Sequence, residues 1–236
     1  MLELYIFNGK EKLRCGYTTG TCAAIAAKAC ALMLFTQRKI KTAEIITPKG
    51  IKVEAEILDA RFSNFTACCA VKKDGGDDND VTDGILIYAE VALNGSGVIS
   101  VDGGRGVGRV TKKGLKQNIG EAAINETPKR MIEAEVKAVF ESFDYQDGAS
   151  VVIFVPQGEE IAKRTFNPSL GIENGISILG TGGIVEPKSV KALTDSIFLE
   201  MEMLKANGTE HIILTPGNYG QIFLESLNLS LIKATV

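Results

Sequence analysis

Two periodicities divide the hydrophobic positions of the first 170 residues into strands and helices. Apolar residues alternate with polar ones, or form short β-branched runs, in seven segments: 2–7, 43–46, 51–58, 65–71, 85–93, 98–102 and 151–155. Residues 22–35 are rich in alanine, and apolar residues after Pro128 recur every three or four positions, so both stretches predict helices. A short helix is expected at 158–164. We therefore predict an α+β domain over residues 1–170, with helices packed on a mixed or antiparallel sheet.

The pattern changes after Asn167 and Pro168, which interrupt both periodicities. Beyond them the chain alternates as strand, helix, strand, helix and a further strand, at 176–179, 189–206, 212–215, 219–227 and 229–236. Such alternation indicates a parallel sheet with right-handed crossovers. We predict a small α/β parallel-sheet domain, a Rossmann-like βαβα segment, over residues 171–236. Its few strands make a thin sheet, so the domain looks incomplete at the C-terminus.

A glycine-rich loop joins the first strand and the first helix of this second domain. Gly180, Gly182 and Gly183 surround Thr181, and the helix start that follows has backbone N–H groups without intrahelical partners. Glycine lets a ligand approach the backbone, so the loop is typical of a small-molecule site. Glycines also serve in ordinary turns, and both interpretations stay open from the residues alone.

Two polar turns in the first domain carry further candidate chemistry. The turn at 16–21, GYTTGT, precedes the alanine-rich helix, where its threonines can cap the helix or help to hold an anionic ligand. The stretch at 72–84 holds five aspartates: Asp74, Asp77, Asp78, Asp80 and Asp83. Their spacing does not match an EF-hand calcium loop. A solvated turn and a carboxylate cluster with acid–base or cation chemistry both remain open.

The one dense basic stretch lies at 103–116 and includes Arg105, Arg109, Lys112 and Lys113. It matches neither a Walker loop nor a GxGxxG dinucleotide motif. Flexible glycines and forked guanidinium groups suit a substrate with several carboxylates, because bidentate pairing fixes direction as well as charge. A basic hairpin tip is the simpler interpretation.

Composition narrows the function classes. The formal net charge is −3 and the sequence pI is about 5.4, so a polyanionic partner such as nucleic acid is not expected. No run approaches the ~20 apolar residues of a membrane span, and the first residues lack a signal-peptide pattern, so we expect a cytoplasmic protein. Five cysteines without a CxxC pair and a single histidine, His211, argue against a disulfide framework, a protein metal site and a Ser/His/Asp triad.

Seven sequence blocks, in order along nearly the whole chain, resemble the cobalt-precorrin-5B C1-methyltransferase family of anaerobic cobalamin biosynthesis (CbiD type). They are GYTTGTCAAIAAKA (16–29), VKKDGGDDNDVTDG (71–84), GVGRVTKKGL (106–115), GEAAINETPKRMI (120–132), GEEIAKRTFNPSLGI (158–172), ISILGTGGIVEP (176–187) and PGNYG (216–220). The resemblance implies methylation of C1 of a cobalt-bearing tetrapyrrole by S-adenosylmethionine, with cobalt present only in the anionic substrate. From charge and hydropathy we expect no nucleic-acid or membrane partner, and homo-oligomerisation stays open.

The resemblance, combined with the motifs, gives a hypothetical site. The cofactor is assigned to the glycine loop and to the residues after the next predicted strand: Gly180, Thr181, Gly182, Gly183, Glu186, Gly217, Asn218 and Tyr219. The carboxylate substrate is assigned to Thr18, Thr19, Arg105, Arg109, Lys112 and Lys113. Asp77 and Asp78 are the candidates for a base or for steering the sulfonium.

The chain also departs from the family pattern. Family members usually carry histidine where Asp83 stands, threonine-glycine where Gly182 and Gly183 stand, and proline where Lys113 stands; alanine and proline are usual at positions 75 and 79. They also extend further at the C-terminus, so we expect a short or truncated member. Two alternatives remain: a small-molecule phosphotransferase, because Gly/Thr-rich helix starts hold phosphates, and a non-catalytic tetrapyrrole-binding or scaffold protein.

Overall fold

The computed structural model describes residues 2–215 and 217–227, and it is a mixed α+β structure. The helices are α1 (Thr19–Thr36), α2 (Glu126–Ser142), α3 (Gly158–Ala162), α4 (Val190–Ala206) and α5 (Gly217–Ser226). The strands are β1 (Tyr5–Asn8), β2 (Glu11–Arg14), β3 (Gly16–Tyr17), β4 (Thr42–Ile46), β5 (Lys52–Glu56), β6 (Leu58–Phe62), β7 (Thr66–Lys72), β8 (Leu86–Asn94), β9 (Ile99–Gly103), β10 (Gly106–Val107), β11 (Arg109–Val110), β12 (Gly148–Phe154), β13 (Ile172–Glu173), β14 (Gly175–Ile176) and β15 (Ile184–Val185).

The central sheet has five strands in the order β6-β7-β8-β12-β9. All neighbours are antiparallel except β12 and β9, which run parallel. Val91 of β8 lies opposite Ala67 on one side and Val151 on the other. Because side chains alternate across a strand, these three residues belong to one row of the buried face, and that face carries the hydrophobic core.

Helix α1 forms the centre of that core. Its residues are apolar almost all round, and it is enclosed by the sheet and by α2, with Ile25 and Met33 fully buried. Alanine on most of its surface lets neighbouring backbones approach closely. By length and hydropathy α1 would pass as a membrane span, but 78% of that window is buried inside the protein.

Short ladders connect residues 172–185 to the first half of the chain. Strand β15 pairs with β3, β14 runs parallel to β10, and β13 pairs with β11. Hydrogen bonds also join Ile178 to Ala123 and Asn125. Two further hairpins are β1–β2 and β4–β5, and Ile45 and Val53 of the second are buried in the core beside α1. The loop that contains Gly180 is therefore held by elements from both halves.

Most predicted elements are confirmed, with boundaries shifted by a few residues, and so is the α+β class of the main body. The exceptions lie at the C-terminal end. The strand predicted at 212–215 is wrong, and no parallel sheet forms within residues 171–215 and 217–227. Strand β14 pairs instead with β10, where Gly106 and Gly175 let two backbones come within contact distance. The strand predicted at 229–236 lies outside the described residues, and the division into domains at residue 170 stays a prediction.

Candidate functional site

The start of α1 and the glycine loop are joined by backbone and hydroxyl hydrogen bonds. Thr18 is the N-cap, and its Oγ1 accepts a hydrogen bond from the Thr21 N–H at 3.2 Å. The Thr18 N–H donates to the Gly183 carbonyl at 3.1 Å, and the Gly20 N–H donates to the Leu179 carbonyl at 3.1 Å. The Thr21 hydroxyl donates to the Gly183 carbonyl at 2.7 Å. Two motifs that the sequence singled out separately thus form one unit.

The hydroxyl groups of the two threonines assigned to the substrate already form hydrogen bonds within this unit. Thr18 and Thr19 are 6% and 3% exposed. The Thr19 Oγ1 accepts from the Leu179 N–H at 2.9 Å, and its hydroxyl lies 3.3 Å from the carbonyl oxygens of both Ser177 and Leu179. Protein contacts therefore account for both hydroxyls, and a substrate role for either residue stays a prediction.

The glycines of the loop allow close packing of the chain on itself. A Cβ added to Gly180 would lie 2.3 Å from the Thr18 Oγ1, and one added to Gly183 would lie 2.7 Å from the Cβ of Thr47. A Cβ on Gly182 would lie 2.8 Å from Cε of Lys49, near the mobile end of that side chain. The space that a larger side chain would fill is thus filled by neighbouring side chains.

The outer edge of the glycine loop is the part that is open to solvent. Thr181 and Glu186 are exposed, so a hydroxyl and a carboxylate face solvent. Glu186 pairs with Lys49, whose side chain is 40% exposed. The assignment of this loop and of Glu186 to a cofactor stays a prediction. Burial, with the nearby Glu186 carboxylate, raises the pKa of the Cys15 thiol, which favours its neutral form.

The acidic stretch is an ordered loop fastened to the end of β2. The Arg14 guanidinium donates to both oxygens of Asp74, at 2.6 and 2.7 Å, and the Gly76 N–H donates to the Asp74 Oδ1 at 3.0 Å. The Arg14 hydrogen bond holds the pKa of Asp74 below its ordinary value. The Tyr17 N–H donates to the Asp74 carbonyl at 2.8 Å, which joins this loop to the strand before α1.

The two candidate catalytic aspartates lie at the edge of this loop. Asp77 is exposed, and its Oδ2 accepts from the Arg14 N–H at 2.6 Å. Asp78 is half-buried, and its Oδ1 accepts from the Lys188 N–H at 3.3 Å, so it reaches the chain just after the glycine loop. The acidic loop thus contacts the same region as the threonine turn, whereas the catalytic roles themselves stay predictions.

A buried ion pair in the same loop was not foreseen from the sequence. Lys73 is 3% exposed, and its Nζ lies 2.7 Å from the Asp80 Oδ2. Burial alone would raise the pKa of Asp80, but Lys73 and two hydrogen bonds from Thr82 hold that pKa below its ordinary value. A lysine directly after an apolar strand, followed by aspartates, was the only signal available. The buried ion pair between Lys73 and Asp80 therefore stabilises the conformation of the acidic loop.

The basic residues lie in a different environment. Arg109 makes a bidentate pair with Asp102, at 2.8 and 2.9 Å, and also donates to the Gly103 carbonyl. Arg105 is exposed, 3.9 Å from Glu159. The stem of Lys112 covers Gly171, and Lys113 is exposed. In residues 2–215 and 217–227, the recorded hydrogen bonds and ion pairs of these four side chains involve neither the glycine loop nor the acidic loop.

One further sequence hypothesis has less support from the geometry. Gly217, Asn218 and Tyr219 form the first turn of α5, and the strand expected to place them beside the glycine loop is absent. Their assignment to the cofactor stays a prediction. Across the described ranges, no three His, Cys, Asp or Glu side chains converge so that they could hold a metal ion.

Comparison with known proteins relates these motifs to one family. The CbiD family model matches residues 6–187. Over 231 residues the chain is 49% identical to a cobalt-precorrin-5B C(1)-methyltransferase of Alkaliphilus oremlandii, covering 98% of this chain and 63% of that protein. The protein of the same name from Ruminiclostridium cellulolyticum is 50% identical over 94% of this chain and 58% of its own length.

A solved structure gives the same relationship. The crystal structure of the cobalamin biosynthesis protein CbiD from Archaeoglobus fulgidus is similar with a TM-score of 0.61 and 36% identity, over 83% of this chain and 62% of that chain. The chain thus spans less than two thirds of the length of these relatives. Because the family model covers most of the sequence, including the turn, the acidic loop and the glycine loop, this chain belongs to the CbiD family.

Proposed function

We propose that this chain methylates C1 of cobalt-precorrin-5B in anaerobic cobalamin biosynthesis, with S-adenosylmethionine as the methyl donor and cobalt present only in the substrate. The observation that carries the proposal is the 49% identity, over 98% of the chain, to a protein named for this reaction. The contact between the threonine turn, the acidic loop and the glycine loop supports it, because these family motifs meet in one place.

The proposed reaction requires the protein mainly to align the methyl donor with the tetrapyrrole. The donor supplies an already activated methyl group: the bond from methyl carbon to sulfur breaks as the bond from methyl carbon to C1 forms. Holding two reactants in line can contribute roughly 7 to 11 kcal/mol toward lowering a barrier. A site without an activated protein nucleophile is consistent with such a reaction.

Distinct residues suit each reactant. Thr181 and Glu186 would orient the donor at the exposed edge of the loop, with Lys49 as the counter-ion that the donor must partly displace. Arg105 and Lys113, which are exposed, suit the carboxylates of the substrate better than Arg109, whose charge is already matched by Asp102. Asp78 steers the sulfonium from the acidic loop, while Gly217, Asn218 and Tyr219 remain assigned to the donor.

The direct test supplies S-adenosylmethionine and the cobalt-tetrapyrrole and measures the product by mass spectrometry. We expect a mass gain of one methyl group. Tetrapyrrole binding without this gain would favour a non-catalytic binding protein. Binding of ATP without binding of S-adenosylmethionine would favour a phosphotransferase.

A substitution at Glu186 tests its role in binding the methyl donor with little expected change in the stability of the protein. We expect Glu186→Gln to weaken S-adenosylmethionine binding roughly ten- to hundredfold in calorimetry, because a hydrogen bond to a charged group contributes about 1.5 to 3 kcal/mol. Stability should change by less than about 1 kcal/mol, since the Lys49–Glu186 pair is exposed. Glu44→Gln is the matched control, since it removes a similarly exposed pair with Lys52. Equal affinities in both variants would refute the role of Glu186.

The charge of Asp78 can be tested in the same way. Asparagine keeps an oxygen that can accept the Lys188 N–H but removes the negative charge. We expect Asp78→Asn to lower kcat about tenfold or more, while urea unfolding changes by less than about 0.5 kcal/mol. Asp77→Asn serves as the comparison at the more exposed position. Undiminished turnover in both variants would assign both aspartates to the turn alone.

A further inference from the structure

Lys49 lies across the glycine loop and reaches Glu186. Its backbone N–H donates to the Gly182 carbonyl at 3.3 Å. A Cβ added to Gly182 would lie 2.8 to 3.1 Å from Cε, Cγ and Cδ of Lys49, so the aliphatic stem packs directly on this glycine. The ammonium then forms an ion pair with Glu186. Lys49 thus connects the turn between β4 and β5 to the outer edge of the loop.

The base of Lys49 is fixed, whereas its ammonium lies at the surface. The turn that carries it is closed by the Gly50 N–H, which donates to the Thr47 carbonyl at 2.8 Å, and Thr47 is 2% exposed. The side chains of Lys49 and Glu186 are 40% and 42% exposed. An exposed ion pair shifts an equilibrium by only about one- to fivefold, because water competes for both charges. The ammonium can therefore change partners while the turn stays in place.

Glu186 is the carboxylate assigned above to the donor, so Lys49 and the donor compete for it. The amino-acid portion of S-adenosylmethionine carries an ammonium group with the same charge as Lys49. Two ammonium groups at one carboxylate repel each other. Binding of the donor to Glu186 therefore releases the Lys49 ammonium, which is then available to another anion.

Two other cations near this edge are already paired with acidic side chains of the protein. Arg14 donates to both oxygens of Asp74, at 2.6 and 2.7 Å. The Lys188 Nζ lies 2.5 Å from the Glu11 Oε2. Lys49 differs from both, because its carboxylate partner is the one that the donor would take.

We propose that Lys49 binds a carboxylate of the tetrapyrrole beside the donor, and that its exchange from Glu186 to this carboxylate couples the binding of the two ligands. The inference rests on the proposed function, which supplies both ligands. It adds to that function a substrate-binding residue outside the basic stretch at 103–116.

The size of the coupling follows from the ion pair. Either ligand alone must break the pair between Lys49 and Glu186, whereas the second ligand finds it already broken. The coupling therefore equals the contribution of that pair, which for exposed charges is about two- to fivefold in affinity. Linkage requires the same factor in both directions: the tetrapyrrole strengthens donor binding as much as the donor strengthens tetrapyrrole binding.

Calorimetry with a donor analogue that cannot react tests the coupling. S-adenosylhomocysteine keeps the ammonium and ribose groups of the donor but has no methyl group to transfer. Its Kd is measured with and without saturating cobalt-precorrin-5B, and the Kd of the tetrapyrrole with and without S-adenosylhomocysteine. The test variant is Lys49→Met, whose unbranched stem still covers Gly182. The matched control is Lys52→Met, which removes a similarly exposed pair with Glu44 in the same hairpin.

We expect the wild type to bind S-adenosylhomocysteine about two- to fivefold more tightly when the tetrapyrrole is present, and the reverse by the same factor. Without the tetrapyrrole, Lys49→Met should bind S-adenosylhomocysteine about two- to fivefold more tightly than the wild type, because the competing ammonium is gone. It should show no coupling. Lys52→Met should match the wild type, and Lys49→Arg should retain the coupling because it keeps the charge.

Two results would overturn the proposal alone. Equal affinities of Lys49→Met and the wild type for S-adenosylhomocysteine would show that Lys49 does not compete for Glu186. Coupling that is absent from the wild type, or that persists in Lys49→Met, would show that Lys49 does not bind the tetrapyrrole carboxylate. In both cases a mass gain of one methyl group in the direct assay would leave the proposed function intact. A wild type that binds neither S-adenosylmethionine nor S-adenosylhomocysteine would overturn the proposed function as well.

Discussion

Gly180→Ala is expected to lower the free energy of unfolding by roughly 2 to 4 kcal/mol, measured by urea denaturation. Gly180 has a φ of +134°, in a region that residues with a Cβ rarely adopt. The added methyl would also lie 2.3 Å from the Thr18 Oγ1, so the helix cap would have to move. Backbone strain and overpacking therefore act at the same point, where the glycine loop meets α1.

Two controls isolate these causes. Gly95→Ala adds a methyl where no atom lies within 4 Å, so it should change stability by less than about 0.5 kcal/mol. Thr18→Ala alone should cost about 1 kcal/mol through loss of the cap. In the double variant with Gly180→Ala, the total loss should be smaller than the sum of the two single losses, because alanine at position 18 removes the clashing Oγ1 and Cγ2 and leaves only the Cβ, at 2.5 Å. Additive losses would contradict the contact between these residues.

Arg14→Ala is expected to destabilise the protein by roughly 1.5 to 3 kcal/mol, the range for hydrogen bonds to charged groups. The variant removes both guanidinium bonds to Asp74, whose side chain is 20% exposed. That residual exposure keeps the loss below the ~3 to 5 kcal/mol of a fully buried pair. Arg130→Ala is the control: its ion pair with Glu126 on α2 is exposed, so it should cost less than about 0.5 kcal/mol.

The ion pair between Arg14 and Asp74 also makes the stability of the protein depend on pH. The pKa of Asp74 is lowered in the folded protein by its hydrogen bond from Arg14. The stabilisation is therefore fully present above the unfolded pKa of about 3.9 and is lost as the pH falls through the lower folded pKa. The stability difference between the wild type and Asp74→Asn should shrink from pH 6 to pH 3. A constant difference over this range would contradict the lowered pKa.

The confirmed predictions share a local physical origin. Alanine propensity alone located α1, and the threonine before it supplied the cap. Short apolar runs located β7 and β12, which are largely buried, and the pattern of apolar positions located β8. Ser189 was expected to begin α4, and it caps that helix. The wrong strand at 212–215 shows the limit of such reasoning, since an apolar run becomes a strand only if a sheet edge is available.

By itself, the sequence determined the α+β class, the central helix, most strands and the family, because propensity, periodicity and motif order are properties of contiguous residues. Only the tertiary structure decided which motifs meet. It joined the threonine turn to the glycine loop, matched Arg109 with Asp102, and buried Lys73 beside Asp80. It also showed that Gly180 and Gly183 serve close packing. The threonine turn and the glycine loop are 162 positions apart, and even the two ion pairs, each seven positions apart, depend on loop conformations that the packed core sets and no local pattern encodes.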